Sequence, residues 1–145
     1  MRTRQDIPPN LAFVVQLRRT YQALRTRLDA ELGPTGLTTP QCTALALLDS
    51  AGKASSSELA RAEAVTAQTM QVLVAGLESS GLVVREPHPN HGRILLVSLT
   101  TEGEHALGRA REVAGRVQDE MVAGLSESER ESLLRLLAHV ERTLG

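Results

Sequence analysis

Between residues 61 and 93 the chain gathers side chains suited to recognition rather than to bond-breaking. Gln68 and Gln71 carry carboxamides, and a glutamine amide can pair through two parallel hydrogen bonds with one adenine edge. Thr66 and Thr69 stand beside them, and a threonine methyl can pack on the methyl of thymine. Arg61, Arg85 and Arg93 supply guanidinium forks of the kind that hold phosphate. His88 and His91 can gain positive charge near neutral pH. Each has a blander role open to it: solvent exposure for the glutamines, a plain helix cap for Thr66, and a solvated or intramolecular pair for Arg61 and Arg85. The chain has no glycine-rich phosphate loop, no metal-spaced cluster and no nucleophile with convincing partners, so an enzyme is not expected. Two histidines without a local third ligand do not make a metal site, and no cofactor is implied.

These residues must be positioned by the stretch Ser55 to Thr100. Ser55 with Glu58 forms a possible capping box for a two-turn helix holding Leu59 and Ala60. After a tight turn, Thr66 caps a helix over Ala67–Ser80 that presents Met70, Leu73, Val74 and Leu77 inward, and Gly81 ends it. Leu82–Glu86 and Arg93–Leu99 are β-prone runs joined by the hairpin tip 87–92. Short helix, turn, longer helix and hairpin make a winged helix-turn-helix.

Upstream, Met1 to Pro9 reads as a flexible arm whose Arg2 and Arg4 are solvated. Asn10 caps a helix to about Leu32, its apolar face carried by Leu11, Val14, Val15, Leu17, Tyr21, Leu24 and Leu28. Gly33-Pro34 stops it. Thr38 and Gln41 box the start of a second helix that runs through Leu45 to Ser50. Downstream, Thr100 caps a long helix to about Gly124, interrupted by Gly103, Gly108 and Gly115. Ser126 and Glu129 form the clearest capping box, opening a helix with Leu133, Leu134, Leu136, Leu137, Val140 and Leu144. That stripe is broad for an isolated surface helix and suits burial against a partner subunit.

Composition narrows the class. With 145 residues and 1% aromatic content, one domain must build its core from Leu, Val and Ala, which favours interdigitating helices. Formal net charge is -1, so any nucleic-acid binding depends on local placement of charge. A single cysteine, Cys42, excludes an internal disulfide. No apolar run approaches ~20 residues and no signal peptide is visible, so a cytoplasmic protein without membrane contact is expected.

The order of elements, together with several short motifs, resembles the MarR family of bacterial transcription regulators. Leu37-Thr38 with Gln41 and Leu45 is similar to the family's second-helix pattern, and Leu59-Ala60 to a pair in its first motif helix. Leu77-Glu78-Ser79-Ser80-Gly81-Leu82-Val83 resembles its Leu-Glu-x-x-Gly-Leu-Val. Arg85, Pro87, Pro89 and Arg93 match the wing, and Leu99-Thr100 with Gly103 matches its exit. The resemblance implies a mainly α fold with a small β-hairpin wing. Residues 37–100 would form the winged helix-turn-helix, and residues 1–36 and 101–145 the dimerisation helices. It implies a homodimer on a near-palindromic operator in double-stranded DNA, most often as a repressor, released by a small aromatic effector or another signal.

On this reading the N-terminal residues of the recognition helix, Thr66, Gln68 and Thr69 with Gln71 close by, meet base edges in the major groove. Arg93 takes a minor-groove or phosphate contact, with Arg85 and Arg61 positioning the backbone. The chain departs from the family in having no Lys or Arg from Thr66 to Ser80, with Val72 and Gly76 where arginines are common. The wing's usual aspartates are replaced by His88 and His91, which lowers repulsion of phosphate and predicts stronger DNA binding as pH falls through about 6.5. An effector pocket is expected around Phe13, Gln16, Tyr21, Cys42 and Leu45, although core and interface packing also accounts for each. Two other readings remain: a redox-responsive regulator acting through Cys42, and a protein-interaction module marked by an apolar patch around Val72 and Gly76. Convergence of Arg61, Arg85 and Arg93 on one face favours DNA.

Overall fold

The computed structural model describes residues 8–145, so the expected arm with Arg2 and Arg4 lies almost wholly outside the described residues. The chain divides into two compact units, residues 1–113 and 114–145.

In the first unit a 3-10 turn, Pro9–Leu11, leads into α1, Ala12–Leu32. Asn10 sits inside that turn and no side chain caps α1, contrary to the sequence expectation; Pro9 fixes the first turn instead. Gly33–Thr35 continues as a 3-10 turn, and the chain reverses at Gly36, whose φ of 76° favours glycine. α2, Thr39–Ala51, carries the predicted capping box, with Thr38 N–H donating to Gln41 Oε1 at 2.9 Å. Asp29 of α1 adds a second cap, accepting from Thr39 Oγ1 at 2.5 Å. Those hydrogen bonds hold the Asp29 carboxyl below the usual carboxylate range.

The next element was not foreseen. Ala54–Ser55 forms a two-residue strand, β1, ahead of α3, Ser56–Ala62. The Ser55–Glu58 box caps α3 as expected. The turn to α4, Ala67–Ser79, passes through Ala64 at φ 52°. There Val65 N–H reaches Ala60 O at 3.0 Å and Ala64 N–H reaches Arg61 O at 3.2 Å, the left-handed stop that glycine usually supplies. Thr66 caps α4 by accepting from Thr69 N at 3.1 Å. The same stop ends α4 at Gly81, where Leu82 N–H meets Leu77 O at 3.0 Å.

β2, Val83–His88, and β3, His91–Leu99, complete an antiparallel sheet in the order β1-β3-β2. Ala54 pairs with Val97, and Val83 with Leu99. The expected six-residue tip is thus a two-residue turn, Pro89-Asn90, with Pro87, His88, His91 and Gly92 inside the strands. Pro87 is tolerated because β2 is an edge strand and the register shifts between Pro87 and His88.

Thr100 closes the wing. Its Oγ1 donates to Gly81 O at 2.6 Å and accepts from Gly103 N at 3.0 Å, while its own N–H meets Leu82 O at 3.0 Å. α5, Thr101–Val122, then runs without a break. The expected interruption by glycines is therefore wrong, because Gly103 serves a contact instead. A Cβ there would lie 2.0 Å from Leu82 O. The core of this unit is aliphatic, with Leu45, Leu48, Met70, Val74, Leu77 and Val97 at 0% exposure. Leu32 of α1 and Ala106, Leu107 and Ala110 of α5 belong to the same cluster, so the winged-helix core draws on residues outside 37–100.

In the second unit the end of α5 is followed by α6, Glu127–Leu144, capped by the predicted Ser126–Glu129 box. The α6 stripe is left uncovered: Leu134 is 70% exposed and Leu144 79%. No helix among the described residues is long and apolar enough to cross a membrane.

Gly103→Ala is expected to destabilise the protein by about 2–3 kcal/mol, because the backbone of Leu82 must move. The melting temperature followed by circular dichroism should fall by roughly 4–12 °C. Gly108→Ala, with nothing within 4 Å of its added Cβ, should leave it unchanged or slightly raised.

Candidate nucleic-acid interface

α4 buries Met70, Val74 and Leu77 and turns the opposite stripe, Gln68, Val72, Ala75 and Ser79, to solvent. Val72, the most exposed large apolar residue of the helix, is 70% exposed. Gln71 and Thr69 flank the stripe on either side and are exposed too. Among the described residues neither the Gln68 nor the Gln71 amide has a hydrogen-bond partner. Thr66 is occupied as the cap, its Oγ1 lying 2.8 Å from Thr69 Oγ1. Gly76 is half-buried, with Gln41 Nε2 4.0 Å from where a Cβ would sit.

Beside α4 lies an open depression of about 240 Å³ lined by Ser55–Ser57, Gln71, Arg85, Arg93, Ile94 and Leu95. A second, of about 530 Å³, shares Ser55, Ser57 and Ile94 and adds Lys53, Glu58, Arg61 and His88. The three arginines therefore border one continuous surface between α3, α4 and the wing. They are not equivalent. The Arg85 guanidinium pairs with Glu78 at the end of α4, its Nε 2.9 Å from Glu78 Oε2. Of the two roles open to Arg85 it takes the intramolecular one, and the pair ties α4 to β2. Arg93 and Arg61 have no ion-pair partner among the described residues. Glu78 and Ile94 were missed by sequence reasoning; a Glu seven residues before an Arg, with a glycine-closed helix end between them, was the available signal for the pair.

The wing histidines face each other across β2 and β3, ring centroids 5.1 Å apart and tilted by 40°. His88 Nδ1 accepts from Asn90 N–H at 3.1 Å, and its depression also holds Glu58, Arg61 and Lys53. Glu58 is held below the usual carboxylate range, chiefly by hydrogen bonds from Ser55, with smaller help from Arg61 and His88. No group of three or more metal-ligating side chains occurs among the described residues.

The residues named for an effector are not gathered within one chain. Phe13, 92% exposed, and Gln16 and Tyr21 face solvent along α1, whereas Leu45 lies wholly in the core. Cys42 is half-buried against that core, and burial pushes its thiol pKa up, away from the reactive thiolate.

A winged helix-turn-helix with an exposed, unengaged helix face and two free arginines at its border defines a DNA-binding type of transcription regulator. A model of the MarR family matches residues 35–94. A helix-turn-helix-type transcriptional repressor of Mycobacterium tuberculosis is 34% identical over 83% of this chain and 87% of its own length. The transcriptional regulator HosA of Escherichia coli O111:H- is 34% identical over 84% of this chain and 89% of its own. Among solved structures, a mutant of MarR from Escherichia coli complexed with operator DNA superimposes with a TM-score of 0.80 at 26% identity, covering 91% of this chain and 94% of that one. The chain belongs to the MarR family and is a transcription regulator of that family.

Arg85 holds the Glu78 carboxyl below its ordinary value of 4.5. The folded-state pKa is thus depressed, so this pair stabilises the fold above pH 4.5 and the contribution is lost as pH falls through the folded value. Glu78→Gln should therefore be less stable than wild type at neutral pH, and the two should converge in acid. Urea midpoints recorded across pH check this; a difference that persists in acid would assign the loss to packing.

Proposed function

We propose that the chain is a homodimeric repressor, acting in the cytoplasm, that occupies a near-palindromic operator and leaves it on a signal. The observation that carries this is the outward stripe of α4, whose amides are unengaged, beside a depression bordered by the free Arg93. It is supported by the fold shared with a MarR protein held on operator DNA. With a formal net charge of -1, attraction to phosphate has to come from this border rather than from the whole surface.

Two uncovered apolar faces support the homodimer: Phe13, Val14 and Leu17 on α1, and Leu134, Leu136 and Leu144 on α6. Faces of this kind call for a partner surface, and a second copy would present a second α4 to the next major groove. A small aromatic effector would lie against Phe13 and Tyr21, the only aromatic side chains of the chain. A redox signal through Cys42 gains nothing from a thiol whose pKa burial pushes up. The protein-interaction reading loses its mark as well. Val72 has Gln68 one turn before it, Gln71 beside it and only the small Ala75 as an apolar neighbour on its stripe, and Gly76 is half-buried.

Binding to the chain's own upstream DNA, measured by fluorescence anisotropy across a salt series, tests the reading. Arg93→Ala is expected to weaken binding to all sequences alike and to reduce the salt slope by about 1. Removing Arg85 and Glu78 together, as Arg85→Ala with Glu78→Ala, should leave that slope unchanged, because the pair carries no net charge. Weak binding without preference over random DNA would overturn the proposal.

At fixed salt, affinity is expected to be greater at mildly acid than at mildly alkaline pH, because the wing tip carries His88 and His91. The double variant His88→Asn with His91→Asn should flatten the profile. A flat wild-type profile removes the histidines from DNA contact.

A further inference from the structure

We infer that α4 selects A·T base pairs, so that the centre of each operator half-site is A·T-rich; this rests on the DNA-binding reading above. The outward stripe Gln68, Val72, Ala75 runs over about seven residue steps, a rise of about 10 Å, or roughly three base-pair steps. Along that span no side chain offers the forked donor that suits guanine or a free carboxylate for cytosine, and Thr69, the one exposed hydroxyl there, can bond any base edge and does not discriminate. Guanine offers two acceptors, N7 and O6, to the major groove, and arginine or lysine donates to both. α4 has neither residue. A glutamine amide facing guanine would satisfy one acceptor and set its own carbonyl against the other. Cytosine offers an N4 donor, which a carboxylate accepts. The one carboxylate of α4, Glu78, is engaged by Arg85.

What the helix does present matches A·T pairs. Adenine shows an acceptor and a donor side by side, the complement of a carboxamide. Gln68 is exposed on the stripe and Gln71 on its flank, and neither amide is engaged among the described residues. Thymine adds a methyl group that only an apolar or methyl-bearing side chain can cover. Val72, 70% exposed, lies one turn on from Gln68 and follows Gln71 directly, with exposed Ala75 three residues on. An exposed valine on the outer stripe of the helix has no packing role in the chain. A thymine methyl at its position gives it one.

The test uses the full-length protein. Bound duplexes are selected from a random pool, and the best site is then remade with deoxyuridine for thymidine at each A·T position in turn. Uracil pairs as thymine does but lacks the methyl. The expected result is an A·T-rich half-site centre, with at least one position where the exchange weakens wild type by roughly fourfold, the worth of one buried methyl. Val72→Ala should lose most of that sensitivity, and Gln68→Ala should relax the adenine preference at one position by about tenfold. Both substituted side chains are exposed, so the variants are expected to fold, and the uracil exchange needs no variant at all. A selected site with G·C pairs at its centre, or uracil exchange without effect everywhere, would overturn the inference while leaving the DNA-binding reading intact. Failure to select any sequence would overturn that reading and the inference with it.

Discussion

Thr100 joins three structures that must keep a fixed relation: the end of α4, the exit of the wing and the start of α5. Its hydroxyl spans Gly81 O and Gly103 N, and its backbone N–H holds Leu82 O. The approach is possible only because Gly103 has no Cβ; with one, the separation from Leu82 O would be 2.0 Å. Val83 and Leu99, the paired ends of the hairpin, lie next to this junction, so both legs of the wing start from it. The Glu78–Arg85 pair braces the same corner from the side. A helix face can read a rigid surface only if its angle to the neighbouring wing is set beforehand, and these contacts set it.

The charge distribution follows a division of labour. α4 carries no cation, the chain as a whole is near neutral, and one of the three bordering arginines is spent on Glu78. Free positive charge at the border is left to Arg93 on the wing, Arg61 on α3 and Lys53, and Lys53 itself leans on Glu86 at 2.8 Å. In the proposed complex, long-range attraction would therefore be modest, and a larger share of binding would fall to short-range fit. Such a binder discriminates by shape and hydrogen-bond complementarity more than by counterion release.

What was legible in the sequence was local. Thr38, Ser55, Thr66 and Ser126 each cap the helix expected of them, because a cap is decided within four residues. The family motifs place the two helices and the wing for the same reason. What was not legible depended on distant partners. β1 is two residues long and exists only because Val97 and Leu96, some forty residues on, pair with it. Gly103, read as a helix interruption, is a contact whose other half is Leu82. The hairpin tip is narrower than the expected 87–92, because an edge strand with a register shift accommodates Pro87. At the site, exposure of the α4 residues could be read from periodicity. The capture of Arg85 by Glu78 and the scattering of Phe13, Tyr21 and Leu45 required coordinates.

Pro87 has one more effect. β2 forms the outer rim of the sheet, and such a rim ordinarily offers a row of free backbone donors and acceptors onto which a stray strand can zip. A residue without an N–H, set at an irregularity in the ladder, interrupts that row near the tip of the wing. The wing can then lie exposed in a crowded solution without seeding a continuous intermolecular sheet, and its outermost strand stays available for the surface it is meant to touch.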